Sequence, residues 1–137
     1  VYDMREALEG MLAERCAERA DGADVARLRA IIAAHATAVQ QGDLGQVVLL
    51  DRRLHLLVAE IAANPLACRA ITIGRGLIEA LRMRTGFSRP RLARIIHEHD
   101  ALVSAVEARD SRTAGLVARL HVVGARDDLV RALAAEA

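Results

Sequence analysis

Apolar residues recur every three or four positions through almost the whole chain and strict alternation is rare, so the sequence predicts helices from end to end. In residues 2–20, Met4, Ala7, Leu8, Met11 and Leu12 share one face, and DGAD at 21–24 breaks that helix. A second helix, about Val25 to Gln40, turns Leu28, Ile31, Ile32 and Val39 inward and stops at QGD. A third starts at Leu44 with Val47, Val48, Leu54, Val58, Ile61 and Ala62 in its stripe, and ends at Asn64-Pro65, because a residue before proline avoids helical geometry. Residues 66–84 form a fourth, in which Gly74 and Gly76 mark either a kink or a close helix crossing. TGFSRP leads into a fifth, about Arg89 to Ala108, with Pro90 suited to a first turn, and RDS at 109–111 joins it to a sixth that runs from about Arg112 into the 130s. Six helices on short connections predict an all-α fold, an antiparallel bundle of about six helices, with residues 1–137 forming a single domain.

Four positions break the apolar stripes. Asp51 and His55 sit in slots of the third stripe where leucine is expected, four apart and on neighbouring turns of one face. His99 falls in the stripe of Leu92, Ile95, Ile96, Leu102, Val103 and Val106, and His121 lies at the edge of the sixth helix's apolar face. His99 and His121 stand about eleven residues either side of the RDS turn, so at about 1.5 Å of rise per residue they reach the same height in an antiparallel hairpin. A lone buried carboxylate costs several kcal/mol even after relaxation, on the order given by continuum and mutational work, so Asp51 needs a partner. One carboxylate and three imidazoles form a donor set suited to a borderline divalent ion such as Zn or Ni. His35 and His97 have no partner at ligand spacing, and both read as solvated.

Charge and composition narrow the options. Nineteen basic residues face eighteen acidic ones, a net of +1, so there is no global field to hold a polyanion. Tyr2 and Phe87 are the only aromatic residues, which removes the stacking platforms of single-strand and RNA binders. Cys16 and Cys68 lie far apart and outside any CxxC, consistent with a reducing, cytoplasmic setting. No apolar run approaches the roughly 18 residues of a membrane helix. The first residue is Val rather than Met, which suggests a fragment or processed product.

The residues that break the stripes also carry a family resemblance. DRRLH at 51–55, with AANP at 62–65, resembles the DxxFH and asparagine-containing elements of the FCD domain, the C-terminal effector-binding domain of FadR-type GntR transcription regulators. EHDALVSAVEARDSRTAGLVARLH at 98–121 resembles that domain's EHxxIxxAIxxxDxxxAxxxMxxH signature, and YDMREALEGMLAERCAERA at 2–20 resembles its first helix. The resemblance implies metal ligands at Asp51, His55, His99 and His121, and places Arg5 near the effector. Leu54 stands where the family usually has Phe, and Ala63 where it usually has Gly. The resemblance further implies a homodimer, and DNA binding through an N-terminal winged helix-turn-helix that these residues do not include.

Three imidazoles, one carboxylate and a divalent ion leave about one positive charge and open coordination positions, which suit a small organic acid. The expected function is therefore a sensor, not an enzyme, in which an effector carboxylate meets the metal and Arg5. Arg5 also stands four residues before Glu9, where a solvated helix pair is the plain alternative, and Arg82 and Arg84 are further candidate contacts. The rival readings are a metal-dependent hydrolase or lyase and a purely structural dimerisation module. HEHD at 97–100 is not the HExxH of a zinc protease, and Glu98 does not point along His99, so no general base stands out.

Overall fold

The computed structural model describes residues 1–137 as six helices: α1 (Tyr2–Arg19), α2 (Gly22–Gln41), α3 (Leu44–Ile61), α4 (Pro65–Thr85), α5 (Arg89–Glu107) and α6 (Ser111–Ala135). Each connection is two to three residues long and carries its own stop and start chemistry. The side chains of Asp21, Asp43, Asn64, Ser88 and Asp110 accept from the backbone N–H three residues on, opening α2 to α6. Asp21 and Asp24 form a reciprocal capping box, which is why α2 begins at Gly22, three residues before the apolar periodicity suggests. Gly42 and Gly86 leave their helices at φ 68°.

The core is aliphatic. Cys16, Ala17, Leu28, Leu54, Val103, Val106 and Ala114 are among fifteen buried residues in its main cluster, which draws on α1, α2, α3, α5 and α6. α1 lies antiparallel against α6, and small residues let the two come close. A Cβ at Gly10 would sit 2.6 Å from Arg119 Nε, and one at Gly115 would collide with Glu14, while Glu14 and Arg119 pair at 2.8 Å across the crossing. α4 runs as one helix through both glycines. Gly74 answers to the close crossing, since a Cβ there would meet Met4 Cε at 2.9 Å.

The inward face of α1 differs from the expected one. Arg5, Glu9, Leu12, Ala13, Cys16 and Ala17 are buried, whereas Met4 and Ala7 are exposed and Leu8 and Met11 are half-buried at the side facing α4. The apolar stripe misleads because the helix spends part of its buried face on an arginine and a glutamate.

Ala63, in the α3–α4 turn, adopts φ 55°. A left-handed conformation costs an L-residue roughly 1–2 kcal/mol, and glycine escapes most of that. Ala63→Gly is expected to stabilise the fold by about 1 kcal/mol, read as a higher urea midpoint with an unchanged slope; a lower midpoint would show that the turn is not strained.

Candidate metal centre and its adjoining cleft

The four residues that break the stripes converge. Asp51, His55, His99 and His121, from α3, α5 and α6, each present a donor atom, and these atoms lie within 4.8 Å of one another. His55 Nε2 is 3.2 Å from His121 Nε2, and His99 Nε2 is 3.3 Å from the same atom. Asp51 Oδ1 sits 3.4 Å from His99 Nε2, 3.6 Å from His55 Nε2 and 4.0 Å from His121 Nε2. That oxygen is buried and has no hydrogen-bond partner. An orphaned carboxylate oxygen facing three imidazole nitrogens is a donor set that fits a divalent cation.

The far side of each ring is also held. His121 Nδ1 lies 2.7 Å from Glu98 Oε2. A carboxylate can only accept, so Nδ1 carries the proton and the lone pair is on Nε2, toward the cluster. Arg91 Nη2 stands 3.1 Å from the same Nδ1, and with that atom committed to Glu98 it donates instead to the His121 carbonyl at 3.2 Å. His55 Nδ1 is 2.9 Å from Glu9 Oε2, though out of line for a hydrogen bond. Glu9 Oε1 accepts from Arg5 Nε at 2.6 Å and from Arg75 Nη1 at 3.5 Å. His99 Nδ1 lies 3.2 Å from Nδ1 of His35.

His35 is thus fully buried against the cluster, and its reading as a solvated residue is wrong. It continues the stripe of Leu28 and Ile32 on α2. No partner stands at ligand spacing along α2 itself; the contact is made across two helices, to His99 on α5. His97 is exposed, as expected. Glu98 also has a larger part than its sequence position suggested, because it faces His121 rather than its neighbour His99.

The electrostatics leave most of these rings ready to donate lone pairs. Burial lowers His99 to about 3 and, against the pull of Glu98, His121 to about 4. Burial likewise lowers His35 to about 4. His55 goes the other way: burial is the largest single influence and lowers it, but the Glu9 and Asp51 carboxylates together raise it above its ordinary value. Burial alone would raise Asp51, but the Arg75 guanidinium, with the His55 and His99 rings beside it, holds it well below the usual carboxylate range. Arg75 Nη2 bonds directly to Asp51 Oδ2. This corrects one step of the sequence argument: the burial of Asp51 does not by itself demand a metal, because Arg75 neutralises one oxygen and only Oδ1 is left without a partner.

Beside the cluster lies a small cleft of about 30 Å³, lined by Tyr2, Arg5, Asp51, Arg75, Glu79, Arg82, Phe87, Arg91 and His121 among others. Four arginines in one small cleft were not legible as a group. Arg5 is buried and paired with Glu9, so the i,i+4 contact exists but is not solvated. Arg82 is buried, pairs with Asp128 at 2.8 Å and stacks on Phe87, whereas Arg84 is exposed and pairs with Glu136 at 2.9 Å. Arg75 and Arg91 were missed, although each falls on a buried stripe, beside Ile71 and Ile78 or before Ile95 and His99. Tyr2 Oη, Arg75 Nε, Glu79 Oε1 and Arg91 Nε, all from cleft residues, are buried without hydrogen-bond partners.

The FCD domain family matches residues 1–124. The chain belongs to the FCD domain family. Membership makes it an effector-binding regulatory domain. A solved structure, McbR/YncC of E. coli, is similar in fold at TM-score 0.74 and 20% identity; the match covers 94% of this chain and 62% of that one. The chain therefore spans under two thirds of the length of that protein. No curated protein matches it. No helix is long and apolar enough to cross a membrane.

The metal-free domain is expected to lose stability in mild acid. Folded His35, His99 and His121 resist a proton that the unfolded chain takes up below about pH 6.5, so unfolding absorbs protons and stability falls from there toward pH 4. Glu9 and Asp51, held low in the folded state, add to the loss below about pH 4.5. His55, held high, opposes it, contributing stability at low pH that fades as the pH rises through its folded value. Urea midpoints in chelator at pH 7.5, 6.5, 5.5 and 4.5 should fall in that order; a midpoint that is flat or rises on acidification would contradict this charge distribution.

Proposed function

We propose that this domain is the metal-dependent sensor of a FadR-type GntR transcription regulator. Asp51, His55, His99 and His121 hold a divalent ion, Zn or Ni, and a small carboxylate effector binds beside it. The observation that carries the reading is Asp51 Oδ1, an orphaned oxygen set among three imidazoles whose other nitrogens face Glu9, His35 and Glu98. The metal supplies the positive charge and open positions that draw in an acid. Arg5 pairs with Glu9 through Nε, which leaves its terminal nitrogens to fork onto the effector's carboxylate. An enzymatic reading is weaker, because Glu98, the carboxylate nearest the role of base, is bound to His121 and to Arg91.

In the intact regulator the effector must bind two arrangements of the bundle unequally, and DNA would be held by a winged helix-turn-helix outside these residues in a cytoplasmic protein. A homodimer is supported by α4, whose outer face exposes Leu66, Ile73 and Leu77 at 71%, 79% and 60%.

The protein purified from metal-replete cells and dialysed is expected to retain about one equivalent of Zn or Ni, and zinc at a hundred times its Kd should stabilise it by about 2.7 kcal/mol. Asp51→Ala should abolish retention; a metal-free wild type would refute the centre. Arg5→Lys keeps the charge but loses the fork, so it should weaken binding of small hydroxy acids by about tenfold with metal content unchanged. Calorimetric titration reads this, and equal affinity in the two proteins would remove Arg5 from the site. Ile73→Glu should convert a dimer to a monomer in sedimentation velocity without loss of metal, whereas an unaltered mass would place the interface elsewhere.

A further inference from the structure

His35 has no place in the metal reading so far, yet it is fully buried against it. Its ring meets that of His99 edge to edge, with centroids 5.2 Å apart and planes 29° from parallel. The two Nδ1 atoms, 3.2 Å apart, must share one proton, so one ring donates and the other accepts. The far nitrogen decides which. His99 Nε2 faces Asp51 Oδ1 and His121 Nε2 at 3.4 Å and 3.3 Å, and it can bind a cation only with a bare lone pair. The His99 proton then sits on Nδ1, His35 Nδ1 accepts it, and the His35 proton is on Nε2. His35 Nε2 has no hydrogen-bond partner that would enforce the opposite tautomer.

We propose that His35 is the positioning residue for the ligand His99, fixing its tautomer and ring angle and tying α2 to a metal centre to which that helix gives no ligand. The inference rests on the metal reading above. It also sets His99 apart from its companions. His55 and His121 face the carboxylates of Glu9 and Glu98, whereas His99 faces a neutral ring, so one of the three imidazoles has a partner that brings no charge. The helices that carry the two rings are also joined at the surface, where Arg29 on α2 bonds Asp100 on α5 at 2.6 Å.

The test measures zinc affinity by competition with a chromophoric chelator. His35→Leu, which fills the space without an acceptor, should weaken zinc by about 10–100-fold, while His35→Asn, whose Oδ1 can take the place of Nδ1, should stay within about threefold of wild type. Long-range nitrogen–proton NMR of the zinc-loaded wild type should find protons on His99 Nδ1 and His35 Nε2, a readout that does not depend on any variant folding. Unchanged affinity in His35→Leu, equal weakening in both variants, or a proton on His35 Nδ1 would each show that His35 only fills the core. If the wild type takes up no zinc, the metal reading fails and this inference falls with it; if the wild type binds and His35→Leu binds equally, this inference fails alone.

Discussion

The packing at the centre of this bundle depends on four lone-pair donors being held in contact with one another. Three imidazole nitrogens and a carboxylate oxygen lie within 4.8 Å of one another, and which of them can donate depends on the tautomer of each ring. With each Nδ1 proton directed outward, the Nε2 atoms have only lone pairs to offer each other. The arrangement persists because the outward contacts hold the rings where they are: Glu98 on His121, Glu9 against His55, and His35 on His99. In the proposed reading a cation satisfies all four donors at once.

Local sequence chemistry delivers these groups to one place. α3 supplies Asp51 and His55 four apart on one face, and the short turn between α5 and α6 matches the heights of His99 and His121. α1 brings Glu9 and Arg5 because Gly10 and Gly115 let it settle against α6. The polar face of α1 is thus as necessary to the site as the helices that give ligands. Removing one partner from such a buried network would leave another charge unsatisfied, which costs more than the pair contributes.

Fold and the four-residue cluster were legible for the same reason: both are encoded within single helices or across one short turn. Caps, turn glycines and apolar periodicity give six helices, and an i,i+4 pair plus two residues equidistant from a turn give the four side chains that converge. What was not legible crosses between distant helices. His35 meets His99 sixty-four positions away, Glu9 meets His55 across α1 and α3, and Arg75 reaches Asp51 from α4. The arginines were further hidden by their type, since a charged residue in a stripe reads as an interruption of the buried face. Arg75, Arg82 and Arg91 are instead among the most buried side chains, each with a carboxylate partner. On α1 this substitution of ion pairs for leucines also turned the inward face away from the one that Met4 and Leu8 suggested.

Arg75 connects the two halves of the proposed site. It bonds Asp51 through Nη2, reaches Glu9 through Nη1, stands 3.8 Å from Glu79 Oε1 through Nε, and is one of the residues lining the cleft. An anion entering that cleft and the carboxylate of Asp51 draw on the same guanidinium. In the proposed sensor, whatever part of Arg75 turned to the anion, Asp51 would recover from a cation at its other oxygen, and effector and metal affinities would be linked through one side chain in both directions. The same helix carries Leu66, Ile73 and Leu77 on its outer face. A shift of α4 that follows Arg75 is therefore felt at the surface where a second copy is proposed to sit, which is the geometry a sensor needs if an event in a buried cleft is to alter how two copies are held.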